Sequence, residues 1–210
     1  MTRLIYLADP MCSWCYGFGP QLSALLEREA PIELRLVMGG LRAYNTRVMD
    51  AAMKMSTRKH WQHVHEASGL PFSEELFARD NFIYDTEPAC RAVVTVRAQA
   101  SGQALDYFHA VQKAFYAQGQ DVTQADVLAD CAAELGVPRE TFLPAFHSDG
   151  MKEATRQDFT LTQRLGVTGF PTVLMEHGDQ RHVIASGFAR TDALAARFKS
   201  IAAGSVQATL

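Results

Sequence analysis

The hydrophobic positions of the first forty residues change period twice. Residues 2–8 (Thr-Arg-Leu-Ile-Tyr-Leu-Ala) form an apolar run of strand length, and Asp9-Pro10 breaks it. From Ser13 onward, Trp14, Phe18, Leu22, Leu25 and Leu26 follow one another at spacings of four, four, three and one, a helical stripe. Gly17, Gly19 and Pro20 interrupt the stripe and predict a kink near Pro20. Pro31 ends the helix. Ile32, Leu34, Leu36 and Met38 then alternate with Glu33, Arg35 and Val37, a half-exposed strand whose charges suit a sheet edge, closed by Gly39-Gly40. The head of the chain is thus a βαβ unit.

Residues 45–148 read as helical throughout. Thr123 with Asp126 three residues on has the form of a capping box ahead of Val127, Leu128, Cys131 and Leu135, and Gly136-Val-Pro138 stops that helix. Pro88 suits the first turn of a helix capped by Asp85 or Thr86 and carrying Cys90, Val93, Val94 and Arg97. Leu105, Phe108, Val111 and Phe115 mark another stripe. Ser148-Asp149-Gly150 starts a helix through Met151, Thr155, Phe159, Thr162 and Leu165 that Gly166 ends. Strands at 172–176 and 181–186 flank a turn at His177-Gly178-Asp179, and a last helix from Thr191 buries Leu194, Phe198 and Ile201. A βαβ head and a ββα tail around a long helical stretch imply an α/β sheet domain (1–40 and 150–210) with a helical insertion (41–149).

Composition narrows the function. The 210 residues are 48% hydrophobic and 20% charged, enough for a real core. The net charge of −3, with no Lys/Arg run, argues against a nucleic-acid partner. No apolar stretch approaches the roughly 18 residues of a membrane span, so no membrane partner is expected. Arg3 is followed only by Leu4-Ile5-Tyr6-Leu7-Ala8 before Asp9-Pro10, too short for the apolar core of a secretory signal. The expected location is therefore the cytoplasm, where close cysteine pairs are redox-catalytic or metal-binding rather than structural.

The four cysteines are unevenly placed: Cys12 and Cys15 form a Cys-x-x-Cys, whereas Cys90 and Cys131 stand alone. The pair falls where the first helix begins. Backbone N–H groups there favour a thiolate, and cysteines at such positions titrate at roughly 3.5–7.5. Cys12, outermost, is the expected nucleophile. Cys15, one turn further in, is the expected resolving thiol, close enough to close a disulfide and release a mixed one. A closed zinc site needs two more ligands, and neither a second Cys-x-x-Cys nor His60, His63 and His65, in another helical segment, supplies them. No metal is expected.

The run Asp9-Pro-Met-Cys-Ser-Trp-Cys-Tyr-Gly-Phe18, with Pro20 five residues after Cys15, resembles the active-site helix of the thioredoxin superfamily. It is most similar to the DsbA-like branch, including the FrnE-type protein-disulfide isomerases. Val167-Thr-Gly-Phe-Pro-Thr172 resembles that family's cis-proline loop, and the helical insertion matches its pattern. The resemblance implies a thioredoxin fold and disulfide exchange with protein or peptide thiols, without a bound organic cofactor and with the thioredoxin or glutathione system as redox partner. By the same resemblance Ser13 and Trp14 tune the potential, Pro171 is the cis-proline beside the sulfurs, and Gly169 and Phe170 present backbone to an extended substrate. Two positions differ from relatives. Ser13-Trp14 supplies no positive charge between the cysteines, and Tyr6 stands where many thioredoxins carry a buried carboxylate, leaving Asp9 as a nearer, more exposed substitute.

Two other functions fit the same residues less well. Kappa-type glutathione transferases and hydroxychromene-carboxylate isomerases share the scaffold but usually begin the motif with serine. A non-enzymatic binding module would use the insertion for recognition and the cysteines as a zinc or redox switch. Cys90 and Cys131 read as inert core, the three histidines as a solvated face, Met49, Met53 and Met55 as core filler, and Trp14 equally as core or groove wall. Met38-Gly39-Gly40 ends a strand on the side where α/β proteins bind ligands.

Overall fold

The computed structural model describes residues 3–204. The elements run β1 (Arg3–Ala8), α1 (Ser13–Arg28), β2 (Glu33–Met38), α2 (Ala51–Ser68), α3 (Glu75–Ala78), α4 (Glu87–Gln99), α5 (Ala104–Tyr116), α6 (Ala125–Glu134), α7 (Arg139–His147), α8 (Asp149–Arg164), β3 (Thr172–His177), β4 (Gln180–Ser186) and α9 (Thr191–Ala202). Thr2, the first residue of the expected opening strand, lies outside the described residues.

The sheet order is β2-β1-β3-β4, with β1 parallel to β2 and antiparallel to β3. A central strand is covered on both faces, which is why Leu4 to Ala8 are uniformly apolar and buried. Leu4, Tyr6 and Ala8 point into the main core with α1 and α5, whereas Ile5 and Leu7 join Val37 and Leu174 under Leu161 and Leu165. The outer strand β2 keeps Glu33 and Arg35 in solvent, as a sheet edge requires. Helix α1 runs unbroken through Pro20. This is a thioredoxin core with a large helical insertion.

The insertion is mostly helix rather than helix throughout. Val48 and Ile83 form an isolated antiparallel bridge between its loops. Its aromatic cluster centres on Trp61, whose ring lies 5.0 Å from both Phe77 and Tyr116. The expected capping box at Thr123 does not form. Asp121 instead accepts from the N–H and hydroxyl of Thr123, and α6 starts after Gln124 without a side-chain cap. An Asx turn competes with capping because Asp reaches the amide two residues on as readily as a cap reaches the third. Pro88 does lie in the first turn of α4; Asp85 accepts from the Glu87 N–H, while Thr86 turns elsewhere.

Candidate active site

Cys12 is the N-cap of α1, with extended backbone (φ −92°, ψ 115°). Its carbonyl accepts from the Tyr16 N–H at 3.1 Å, so the amides of Ser13, Trp14 and Cys15 have no partner one turn back and the helix presents its positive end. The turn leading in is built by Asp9, whose carbonyl accepts from the Cys12 N–H (3.0 Å) and whose carboxylate accepts from the Met11 N–H (2.8 Å).

The distant tail meets this turn. The Phe170–Pro171 peptide is cis, and the Cys12 thiol donates to the Phe170 carbonyl at 3.5 Å across 158 residues. Pro171 is buried and Gly169 exposed, while the Phe170 ring lies on Gly39 so closely that a Cβ there would come within 2.1 Å of it. Gly39 is therefore a contact residue of the cis-proline loop, in keeping with its place at the end of β2. Trp14, half-buried, has its ring 5.9 Å from His60 and 5.8 Å from Phe188. It forms a wall between the cysteine turn and α2, and brings His60 to the site rim, which its helical segment alone did not suggest. His65 turns away and bonds the Leu70 carbonyl.

The two thiols differ in depth. Cys12 is 5% exposed and Cys15 fully buried, and both are free thiols. Cys12, expected to be outermost, is nearly enclosed with the Phe170 carbonyl against it, yet it remains the outer sulfur. Burial pushes the Cys15 thiol well above the usual range, and the neighbouring Cys12 and the Asp9 charge add to the shift. Tyr6, six residues before Cys12, is fully buried with its hydroxyl beside Cys15, and burial raises its phenol further.

Asp9 corrects the sequence reading most clearly: it is 0% exposed, not an open substitute. Its Oδ2 accepts from the Leu41 N–H at 2.7 Å and the Cys90 thiol at 3.5 Å, and the Thr86 hydroxyl also bonds it. Burial raises its carboxyl above the ordinary range, and these hydrogen bonds oppose that rise. The visible signal was an Asp two residues before an amide it could cap, in an Asx turn. Cys90 is thus a core thiol with a polar partner, while Cys131 sits in the core of α6 with burial pushing its thiol to about 11. Met49 is buried, Met53 partly so, and Met55 is 68% exposed, so core filler describes only part of that set. Among the described residues no group of three or more His, Cys, Asp or Glu side chains could hold a metal ion, and no helix is long and apolar enough to cross a membrane.

A thioredoxin sheet, a Cys-x-x-Cys at the head of its first helix and a cis-proline facing the outer sulfur define the thiol–disulfide oxidoreductase class. The profile of the DSBA-like thioredoxin domain matches residues 4–199, and the chain belongs to that family. A Nitrosomonas europaea protein provisionally assigned as a protein disulfide isomerase is 35% identical, with 95% of this chain and 96% of that one covered and a TM-score of 0.88. The cytosolic disulfide reductase DsbM of Pseudomonas aeruginosa is 27% identical over 95% of this chain and 98% of its own, with a TM-score of 0.79, and a further structure of it holds GSH. The ClpXP adapter protein SpxH of Halalkalibacterium halodurans is 25% identical over 169 residues, 78% of this chain. The chain spans only 55% of that protein's length.

Proposed function

We propose that this chain is a cytosolic disulfide reductase or isomerase acting on protein or peptide disulfides, with Cys12 as nucleophile, Cys15 as resolving thiol and glutathione as electron donor. The observation that carries the reading is the Cys12 sulfur at the head of α1, 3.5 Å from the carbonyl before the cis-proline. In the exchange, the Cys12 thiolate attacks one sulfur of the substrate disulfide; an S–S bond forms, the old one breaks, and the second substrate sulfur leaves as thiolate. The Cys15 thiolate then attacks Cys12, releasing the first substrate sulfur and leaving a Cys12–Cys15 disulfide, so two electrons pass to substrate. Two glutathione thiols restore the pair and become glutathione disulfide.

Gly169, Phe170 and Pro171 serve as the backbone edge for an extended substrate, and Trp14 as its side wall. Ser13 and Trp14 set the potential without a charge. The reducing direction is supported by the deeply buried Cys15, whose thiol form burial favours, and by the likeness to a cytosolic reductase. Residues 1–40 and 150–210 would form the catalytic unit, and 41–149 the insertion that shapes its entrance.

The test is the reduction potential of the couple in glutathione buffers, where a reductant falls near −270 mV and an oxidant near −120 mV, values about which thioredoxin and DsbA differ. Cys12→Ser should abolish disulfide reduction and Cys15→Ser should accumulate mixed disulfides; full turnover in both variants would sink the proposal. A transferase would instead turn over an electrophile with glutathione after loss of Cys15. The binding-module reading has one observation of its own: Leu41, Tyr44, Val48, Met55 and Ile83, all within the insertion, are large hydrophobic residues left exposed.

A further inference from the structure

Tyr6 is a buried polar group with no part in the exchange as Cys12 and Cys15 alone perform it. It lies on the central strand β1 and points into the main core, where its ring packs 6.0 Å from Phe18 of α1 and 5.8 Å from Phe108 of α5. Those contacts need only the ring. The hydroxyl lies beside the sulfur of Cys15, one turn before Phe18 on the same helix. Tyr6 and Cys15 are both closed to bulk water, and the Tyr6 hydroxyl has no hydrogen-bond partner.

A buried hydroxyl without an acceptor is costly, and a phenylalanine would keep both ring contacts without that cost. A thiol sulfur is a weak acceptor, whereas a thiolate is charged and accepts strongly. The hydroxyl is therefore idle only while Cys15 holds its proton. When Cys15 resolves a mixed disulfide, the charge that forms on its enclosed sulfur has to be met by protein groups. The Asp9 backbone N–H faces the sulfur and favours the thiolate, while Cys12 and the Asp9 carboxylate oppose it. Tyr84 and Tyr116, from the insertion, face Cys12 instead. From α5 comes the apolar ring of Phe108. Tyr6 brings a side-chain donor from β1.

We propose that the Tyr6 hydroxyl donates a hydrogen bond to the Cys15 thiolate as it attacks the mixed disulfide, which makes Tyr6 a catalytic residue of the second step. Cys15 gives up its proton, its sulfur bonds to that of Cys12, and the bond from Cys12 to the substrate breaks. The proton leaves with the departing substrate sulfur, or goes to water where that sulfur stays anionic. Tyr6 keeps its own proton throughout. The inference rests on the reading of Cys12 as nucleophile and Cys15 as resolving thiol.

Dithiobis(nitrobenzoate) separates the two steps, because each releases one coloured thionitrobenzoate that stopped-flow absorbance follows, with Cys12→Ser as the blank. Tyr6→Phe should leave the first phase within about twofold of the parent, slow the second about tenfold and move its pH profile up by about one unit, the same free energy read two ways. The variant should melt no lower than the parent, since the hydroxyl it loses had no partner. A ring-fluorinated tyrosine at position 6, a stronger donor, should move the profile to lower pH. A second phase and pH profile unchanged in both variants, or an equal slowing of both phases in Tyr6→Phe, overturns the role of Tyr6 and leaves the exchange reading standing. A parent that releases no more thionitrobenzoate than the blank overturns both.

Discussion

Two buried carboxylates hold the two ends of the same short stretch, Met38 to Leu41, and they do so differently. Asp158 of α8 accepts from the Met38 N–H at 2.8 Å and is gripped by the Arg97 fork at 2.8 and 3.0 Å, while Arg97 also donates to the Leu36 carbonyl. Asp9 accepts from the Leu41 N–H and has neutral donors only: two amides, a hydroxyl and a thiol. The first corner is a joint, where a neutralised charge ties α4, α8 and the end of β2 together. The second leaves its negative charge uncompensated beside the thiols, where it makes a buried thiolate harder to form. Gly39 and Gly40, between the corners, let the Phe170 and Phe159 rings close on the backbone. One loop therefore couples a buried ion-paired tie of the insertion to the position of the cis-proline.

The comparison is broken most severely at the joint. Arg97→Met leaves Asp158 buried without its cation and should cost about 3–5 kcal/mol in urea unfolding, whereas the double variant with Asp158→Leu should recover much of that loss. Gly39→Ala forces the Phe170 ring aside; about 1–3 kcal/mol of stability should go, and disulfide exchange should slow by up to about a hundredfold in a stopped-flow assay. Asp9→Asn keeps the shape but meets two amide donors with one oxygen, so a loss of about 1–3 kcal/mol is expected. It also removes the negative charge near Cys15, so release of the Cys12 mixed disulfide should reach its maximum at lower pH than in the parent. An unchanged pH profile would show that the thiols do not sense Asp9.

The pH dependence at Asp9 carries a definite sign. Its folded carboxyl titrates above its unfolded value, so its contribution to stability is fully present below the unfolded pKa and is lost as pH rises through the folded one. The stability advantage of the parent over Asp9→Asn should therefore shrink as pH rises from about 4 toward 7. His109 acts in the opposite sense. Burial depresses its folded pKa, so its contribution is present above about pH 6.5 and fades as pH falls. Thermal melts between about pH 7 and 5 should flatten slightly in His109→Phe.

These corners also separate what was legible from what was not. The alternation of β2 gave the edge strand, and the spacing of Trp14, Phe18, Leu22 and Leu25 gave α1, because both patterns repeat within a few residues. Pro171 and Cys12 could be named from local motifs. The burial of Asp9 could not be read: it depends on Leu41 folding back over it and on Thr86 and Cys90 arriving from α4. The same holds for Asp158, one of several acids on a helix whose outer face is charged, singled out by an arginine 61 residues away and by the Met38 amide 120 residues away. At Thr123 a plausible local pattern lost to another local pattern, and sequence spacing alone could not rank the two.

By itself the sequence determined the βαβ head, the ββα tail, the helical insertion and the pair of sulfurs one turn apart, since periodicity and helix-end chemistry act within a single element. Only the tertiary structure decided how deep each sulfur sits, that Phe170 bends its carbonyl onto Cys12, and that one buried acid finds a cation and the other does not. Those outcomes depend on solvent exclusion and on partners brought from 32 to 158 residues away, which no local spacing encodes.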